Sequence, residues 1–597
     1  MSRLNNILLV YPEIPSNTYW SFHYSLKFID KKTSLPPLGV ITMAALLPDK
    51  YNLQLVDLNI EPLAREDIEW ADAVFISAMI IQQNSMNEII RMCNRTGTPV
   101  VAGGPHPTSS HQAISGVDHF VLGEAETIIN EFLEDFENGT ARHVYHAQTR
   151  PDLDETPIPR FDLLKMDQYS SMAVQYSRGC PFQCEFCDIW VVYGRRPRVK
   201  SAPNIIREID TLYRLGWEGS IFMVDDNFIG NKNRVKKELL PALIEWKKAN
   251  NHRFKFYTEA SINLADDEEL MNAMSAAGFD QVFIGIETPS KESLAETGKS
   301  QNLKCDLQEA VRTIQKHGME VTAGFILGFD NDKEDIFDRQ IEFIQQTGIP
   351  KAMVGMMQAL PGTKLFERLQ REGRILTDHL EGCNTHTMTT NFVATMDPQT
   401  LKEGYKRVLG TLYDTNLKNY FTRCDMLLAN LRHTGYKQRK IRWLEIKALL
   451  KSLFFQPFTP YGGQYLKFVS RNLVRNPGVF AEVITHAVMG HHFHVITQET
   501  LKVDKAASRL DEIYEKARDQ VRRYSSSMIT TSAVQRRRLS ELWTHYKKTL
   551  EKSENFINHI HVDFRRDIIN KYQEIYNKTR QLFSEQENSR NVSETAR

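Results

Sequence analysis

Residues 7–11 are almost wholly apolar, and runs of the same kind recur at 53–58, 74–78, 99–102 and 119–122. Between them apolar positions fall at helical spacing over 38–47, 84–95, 108–115 and 125–137. Short apolar runs alternating with amphipathic helices predict a doubly wound parallel sheet, which binds ligands at the carboxyl ends of its strands. A second alternation follows, with strands predicted at 173–177, 220–224, 254–258, 281–286, 320–327 and 351–357. Six βα units of this kind suggest a partial barrel with its chemistry at the strand ends. After Pro361-Gly362-Thr363 only helical periodicity remains, at 364–372, 398–414 and 441–454, then as one long polar pattern from 500 to 585; the residues from Glu585 onward read as a frayed tail.

The pattern divides the chain into an α/β Rossmann-like domain (1–146), a linker (147–170) containing Pro151, Pro157 and Pro159, and a partial (β/α)6 barrel (171–365). A helical substrate region (366–500) and a helical extension with a polar tail (501–597) complete it. A chain of 597 residues is too long for one core. Lys+Arg and Asp+Glu both number 74, which offers no electrostatic case for a nucleic-acid partner. The amino terminus lacks the features of a secretory signal, and no apolar run reaches the length of a membrane span. The expected location is cytoplasmic.

Seven cysteines are too few for a disulfide scaffold. Three of them, Cys180, Cys184 and Cys187, form a C-x3-C-x2-C run after the first barrel strand. Thiolates in threes suit an iron-sulfur cluster with one iron left open; a structural zinc site would normally find its remaining ligands nearby, and His252 and Cys305 are distant. Cys93, Cys305, Cys383 and Cys424 show no spacing pattern. The first sheet's predicted strand ends carry Ser77, Gly103-Gly104-Pro105-His106 and Glu124, where the glycines permit a bulky ligand to approach the backbone. A G-x-G-x-x-G fingerprint is absent, which argues against a nicotinamide or flavin. Asp225, Asp226 and Glu259 end two barrel strands, either as ligand-facing acids or as helix caps. The aromatic segment 19–24 reads equally as a loop over a ligand or as a packed connection.

The cysteine run, with Phe186 inside it, Gly285-Ile286-Glu287-Thr288 and Gly324-Phe325-Ile326-Leu327-Gly328 in order behind it, resembles radical S-adenosylmethionine (SAM) enzymes. The preceding sheet with its Gly-Gly-Pro loop resembles the cobalamin-binding domains found ahead of such barrels, as in hopanoid C-2 methylases and bacteriochlorophyllide side-chain methylases. The resemblance spans about residues 5–500, including Thr389-Thr390-Asn391-Phe392 and Gly404-Tyr405. It implies a 4Fe-4S cluster on Cys180, Cys184 and Cys187, SAM against Phe186, Glu259, Gly285, Glu287, Gly324 and Gly328, and cobalamin against Ser77, Gly103, Gly104, Pro105 and Glu124. Two departures stand out. Asn331 occupies the acidic end of the family's G-x-I-x-G-x-x-E motif, and Asp-x-His-x-x-Gly is missing, so cobalt is expected without a protein imidazole and His106 as a hydrogen-bonding or surface residue.

The implied reaction is methylation of an unactivated carbon on a large apolar metabolite. One SAM supplies the methyl group through cobalamin, and a second supplies the deoxyadenosyl radical that activates the carbon. A bacteriochlorophyllide side chain is the first expected substrate, because an aromatic-rich site and His486, His491, His492 and His494 suit a tetrapyrrole; a hopanoid is the second. The alternatives are a radical oxidation or cyclisation without methyl transfer, and a corrinoid-binding or redox-sensing iron-sulfur protein. An electron donor such as ferredoxin or flavodoxin is an expected partner. The basic and apolar stretch 437–451 reads as a surface helix or a peripheral membrane contact.

Overall fold

The structure, a computed structural model, describes residues 4–251, 254–377, 387–431, 443–475, 477–526 and 532–595. His252, Cys383 and residues 437–442 of the basic stretch lie outside the described residues. The chain forms two units, residues 1–493 and 494–597.

The first unit begins with six parallel strands: β1 (Asn6–Tyr11), β2 (Asn52–Asp57), β3 (Ala73–Ser77), β4 (Val100–Gly103), β5 (His119–Leu122) and β6 (Val144–His146). Their order, β2-β1-β3-β4-β5-β6, reverses direction between β1 and β3. That is the switch point where open α/β sheets bind ligands. Apolar clusters lie on both faces, one around Leu8, Val74 and Ile76 and the other around Ile7, Leu9 and Phe75, as the uninterrupted apolar runs require. The expected linker is strapped onto this domain: Tyr169 Oη donates to Asp57 Oδ2 at 3.0 Å, and Arg160 N to Ile41 O at 3.0 Å.

β7 (Ser171–Val174) starts the barrel, and a small antiparallel ribbon, β8 (Ser177–Arg178) with β9 (Arg198–Val199), brackets the cysteine loop. The remaining strands are β10 (Ser220–Met223), β11 (Phe256–Ala260), β12 (Phe279–Glu287), β13 (Glu320–Leu327) and β14 (Ala352–Met356). All run parallel, in the order β14-β13-β12-β11-β10-β7. One face, with Ile221, Val282, Ile284, Val321 and Val354, is fully buried in the core. The register aligns Phe222, Tyr257 and Gln281 on the other, half-buried face, with Glu259 and Phe283 paired one step further along.

Helices complete the first unit, among them Lys364–Arg371, Pro398–Leu412, Lys418–Asn430, Trp443–Phe455 and Gly462–Arg475. The long polar pattern resolves into three helices, Phe480–Ser526, Ser532–Ile557 and Val562–Thr595, and the expected frayed tail is helical to Thr595. In the second unit Trp543 and Tyr546 pack on Phe583, and Lys571 pairs with Asp511 at 2.6 Å. No helix among the described residues is long and apolar enough to cross a membrane.

Candidate functional site

The cysteine loop is held at both ends by backbone. Gly179 (φ +96°) has no room for a Cβ, which would sit 2.8 Å from Gly194 O, and Cys180 N donates to that same carbonyl at 3.2 Å. Cys187 N donates to Cys184 O at 3.2 Å, closing a turn that places the two thiols on one side of the loop. Asn227 and Gln301 bring side-chain amides to 3.9 Å from the Cys180 and Cys184 sulfurs. Such donors temper the charge of thiolate ligands. Three soft sulfur donors with amide donors around them fit an iron-sulfur cluster.

Behind the loop, Lys299 Nζ pairs with Glu287 Oε1 at 2.6 Å and lies 5.9 Å from the centre of the Phe186 ring. Burial opposes its charge, but Glu287 and the cysteine sulfurs hold Lys299 above the usual lysine range. Glu287 itself has a left-handed backbone (φ 64°), and Asn302 Nδ2 donates to Gly285 O and Ile286 O at 3.0 Å. A Cβ on Gly285 would collide with the Glu287 carboxylate and approach Lys299 Nζ to 2.8 Å. The Glu287 carboxylate, expected against SAM, is thus engaged by Lys299. Gly324 leaves room for Phe283, whose ring would lie 2.9 Å from a Cβ there. After Gly328, Asp332 Oδ2 accepts from Gly328 N at 3.0 Å and Phe329 N at 3.1 Å. An acid thus stands one residue after Asn331 and holds the turn that follows the glycine.

Asp225, Asp226 and Glu259 meet at the ends of β10 and β11. Burial, opposed by backbone and side-chain hydrogen bonds from Ser177, pushes Asp225 up to about 7. Burial and then the charge of Asp188 raise Asp226 to about 6. Burial, followed by the charges of Asp226 and Asp225, raises Glu259 to about 8. Asp225 accepts from Ser177 N and caps the first barrel turn, whereas Asp226 Oδ2 is buried with no partner among the described residues. An acidic group in this state suits a cationic ligand such as the SAM amino group.

At the carboxyl ends of β3 and β4, next to the switch point, Ser77 and Gly103 are register partners. Gly104 (φ +88°) crosses so close to Ser77 that a Cβ would strike Ser77 Oγ, and one on Gly103 would lie 2.9 Å from Val121 O. Pro105 opens the following helix, Pro105–Ser110. His106 is not a surface residue: it is 4% exposed, burial holds it below the usual histidine range, and neither ring nitrogen has a partner among the described residues. Unfilled polar groups beside a bare glycine turn fit a bulky polar cofactor such as cobalamin. Glu124, expected against cobalamin, is engaged by two arginines. Its carboxylate receives Arg178 at 2.7 Å and Arg198 at 2.7 Å, and so joins the first sheet to the cysteine loop.

The segment after β1 reaches the barrel. Trp20 meets Phe283 edge-to-face with ring centres 5.2 Å apart, and Phe222 stacks on Tyr257 at 4.7 Å on the same half-buried face. In a partial barrel this half-buried face is the inner chamber, and it carries Phe222, Tyr257, Phe283 and Glu259, with Trp20 against Phe283. The neighbouring residues Tyr19 and Phe22 are packed instead: Tyr19 Oη bonds Tyr413 Oη and Ala352 O, and Phe22 packs edge-to-face on Phe493. The histidines do not line this chamber. His486 is buried 3.7 Å from Glu320, His491 Nδ1 bonds Tyr461 Oη at 2.8 Å, and His492 Nε2 bonds Tyr19 O at 3.1 Å. His494 is buried in the second unit.

Arg178, Arg198, Lys299 and Asp332 were not anticipated from sequence. Arg178 stands two residues before Cys180, and Lys299 follows a helix that carries no motif.

Comparison with known proteins matches residues 29–133 to the B12 binding domain, 174–344 to the Radical SAM superfamily, and 363–506 to a domain of unknown function, DUF4070. An uncharacterized methyltransferase of Synechocystis sp. is 42% identical over 495 residues, covering 81% of this chain and 91% of the relative. The hopanoid C-2 methylase of Rhodopseudomonas palustris is 33% identical over 518 residues, covering 84% of this chain and 95% of the relative. Among solved structures, the radical SAM methyltransferase TsrM of Kitasatospora setae, with tryptophan substrate and a SAM analog bound, aligns with a TM-score of 0.50. At 15% identity, over 62% of this chain and 77% of that one, it shares the fold.

Proposed function

We propose that this chain, which belongs to the radical SAM methyltransferases that carry a B12-binding domain, methylates an unactivated carbon of a polycyclic lipid of the hopanoid type. It is a radical SAM methyltransferase, and its cofactors are a 4Fe-4S cluster, SAM and cobalamin. When bound, these cofactors supply the methyl group and the radical that activates the acceptor carbon. The protein supplies placement and exclusion of water.

Cys180, Cys184 and Cys187 would hold the cluster, with Asn227 and Gln301 donating toward the sulfurs. Phe186, Gly285, Gly324, Gly328 and Glu259 would shape the SAM site, with Lys299 and Glu287 fixing its floor as a pair. Ser77, Gly103, Gly104, Pro105 and His106 would take cobalamin, and Arg178 holds the cluster loop against that domain through Glu124. The observation that carries the substrate class is the ring set Trp20, Phe222, Tyr257 and Phe283 on the barrel's half-buried face, which offers apolar surface and no metal ligand. A tetrapyrrole, the first expectation, drew on an aromatic-rich site and on histidines that here bond or pack against other side chains; the similarity to a hopanoid methylase over nearly the whole relative favours the lipid. A lipid substrate also implies a peripheral membrane contact, and the cluster needs a low-potential electron donor such as ferredoxin or flavodoxin.

The test is anaerobic reconstitution with cobalamin, reductant, methyl-labelled SAM and a hopanoid. Deoxyadenosine together with labelled hopanoid is expected, and Cys184→Ala should abolish both. Deoxyadenosine without label in the lipid would move the acceptor to another compound.

A further inference from the structure

The strongest unassigned surface lies on the helix Trp443–Phe455, the turn Gln456–Phe458 and the helix Gly462–Arg475. The buried sides of the two helices meet where Ser452 Oγ and Tyr465 Oη share a hydrogen bond at 2.8 Å. Their outer sides carry Trp443 (73% exposed), Phe454 (79%), Phe458 (87%) and Val474 (83%), with Leu450 and Leu453 also exposed. Large apolar side chains concentrated this way on a short stretch are unusual on a soluble surface, where exposed ones are normally scattered.

Charge identifies the occupant. From 443 to 475 the chain holds Lys447, Lys451, Lys467, Arg471 and Arg475 against a single acid, Glu445. Lys447 and Lys451 are anchored on Asp30 and Arg471 on Asp425, while Lys467 and Arg475 are exposed on the outer helix. Exposed Trp and Phe flanked by cations, on helices too short to span, match an amphipathic surface that sinks its rings to the acyl boundary of an anionic bilayer. A protein partner would not require the cations, and a second copy of this chain would bring like charge against like.

We infer that this two-helix face docks the protein on an anionic lipid surface. The segment beneath it leads toward the chamber: Phe28 packs edge-to-face on Phe455 with ring centres 6.0 Å apart, Asp30 holds the two lysines, and Trp20 earlier in that segment meets Phe283. Docking stands apart from the identity of the methyl acceptor, whereas delivery of a lipid to the chamber rests on the function proposed for it.

The experiment is sedimentation of the full-length holoenzyme with phosphatidylcholine vesicles, with and without phosphatidylglycerol, in the absence of any methyl acceptor. The wild type should co-sediment with the anionic vesicles and dissociate as salt is raised. Phe454→Ser with Phe458→Ser should weaken binding by at least about tenfold. Lys467→Glu with Arg475→Glu should remove the preference for phosphatidylglycerol. All four side chains are exposed, and an unchanged Tm of each variant verifies its fold. Failure of the wild type to sediment with anionic vesicles, or wild-type binding by the double Phe variant, overturns the proposal. A dimer in light scattering that the Phe variant abolishes, without vesicle binding, assigns the face to a second copy and also overturns it. Since no acceptor is present, none of these outcomes depends on the hopanoid assignment.

Discussion

Arg178 Nη1 donates to Glu124 Oε2 at 2.7 Å, joining the strand that enters the cysteine loop to the end of β5 in the cobalamin domain. Both side chains are buried, and Arg178 also meets Glu126 at 2.7 Å, so one guanidinium is shared between two carboxylates. Removing one partner of a buried ion pair leaves the other charge poorly compensated and typically costs about 3–5 kcal/mol. Because Glu126 remains, Glu124→Gln should fall at the low end, about 3 kcal/mol by denaturant titration. It should also lower methyl transfer more than SAM cleavage, since the loop keeps its sulfurs but loses its register with the cobalamin domain. Equal loss of both activities would show that the pair serves stability alone.

Gly104→Ala should release cobalamin. The position has φ +88° and ψ −175°, a region essentially confined to glycine that costs another residue about 1–3 kcal/mol, and the added Cβ would strike Ser77 Oγ. Gly97 provides the control: its φ is +75° but nothing lies within 4 Å of a Cβ. Gly104→Ala should be the more strained of the two, and only it should lose corrinoid on desalting, with iron content unchanged in each. Retention of cobalamin by Gly104→Ala would remove this turn from the binding site.

Most strands were legible because each is a largely apolar run bounded by polar turns; β5 and β13 occur with the predicted bounds. β6 was missed because three residues at a sheet edge, with only Tyr145 buried, leave no periodicity to read. The cluster cysteines were legible since one loop supplies all three. Arg178 and Glu124 lie 54 residues apart, and only the topology that brings β5 beside β8 makes them partners. Asp332 was not legible because it stands one residue beyond the motif's spacing, and its role comes from the turn that lets it accept from Gly328 N and Phe329 N. For Trp20, packing and ligand readings were evenly matched in sequence. In the structure Tyr19 and Phe22 pack on Phe493 while Trp20 packs on Phe283 at the barrel's half-buried face.

Glu259 should make stability pH-dependent. Its folded value of about 8, with Asp225 near 7 and Asp226 near 6, lies above the value expected for an unfolded carboxyl. The folded state therefore binds protons more tightly than the unfolded one, and stability of the cofactor-free protein falls as pH rises from about 5 to about 8. The three acids titrate as a coupled group, so the slope belongs to the set. Glu259→Gln should flatten the upper part of this fall, between pH 7 and 8, in denaturant titrations. SAM, if its ammonium is held here, should bind more tightly as pH rises across the same interval and release a proton on binding, readable by calorimetry in two buffers. A slope unaltered by Glu259→Gln would place the titration elsewhere.

Trp20 is a ring that the segment after β1 brings against Phe283 on the barrel's half-buried face, where the proposed acceptor would lie. It is 38% exposed, so Trp20→Ala should cost about 1–2 kcal/mol of stability, less than a core truncation. Its effect on chemistry should be larger. An acceptor held loosely misses the position from which hydrogen is abstracted, and SAM cleavage then continues without transfer. The ratio of deoxyadenosine to methylated product should rise about tenfold or more in Trp20→Ala, corresponding to about 1.4 kcal/mol of lost positioning. Trp20→Phe keeps an edge-to-face partner for Phe283 and should recover most of the coupling. If Trp20→Ala lowers both products together and leaves their ratio unchanged, the ring only supports the fold, and the acceptor is positioned by Phe222, Tyr257 and Phe283 alone.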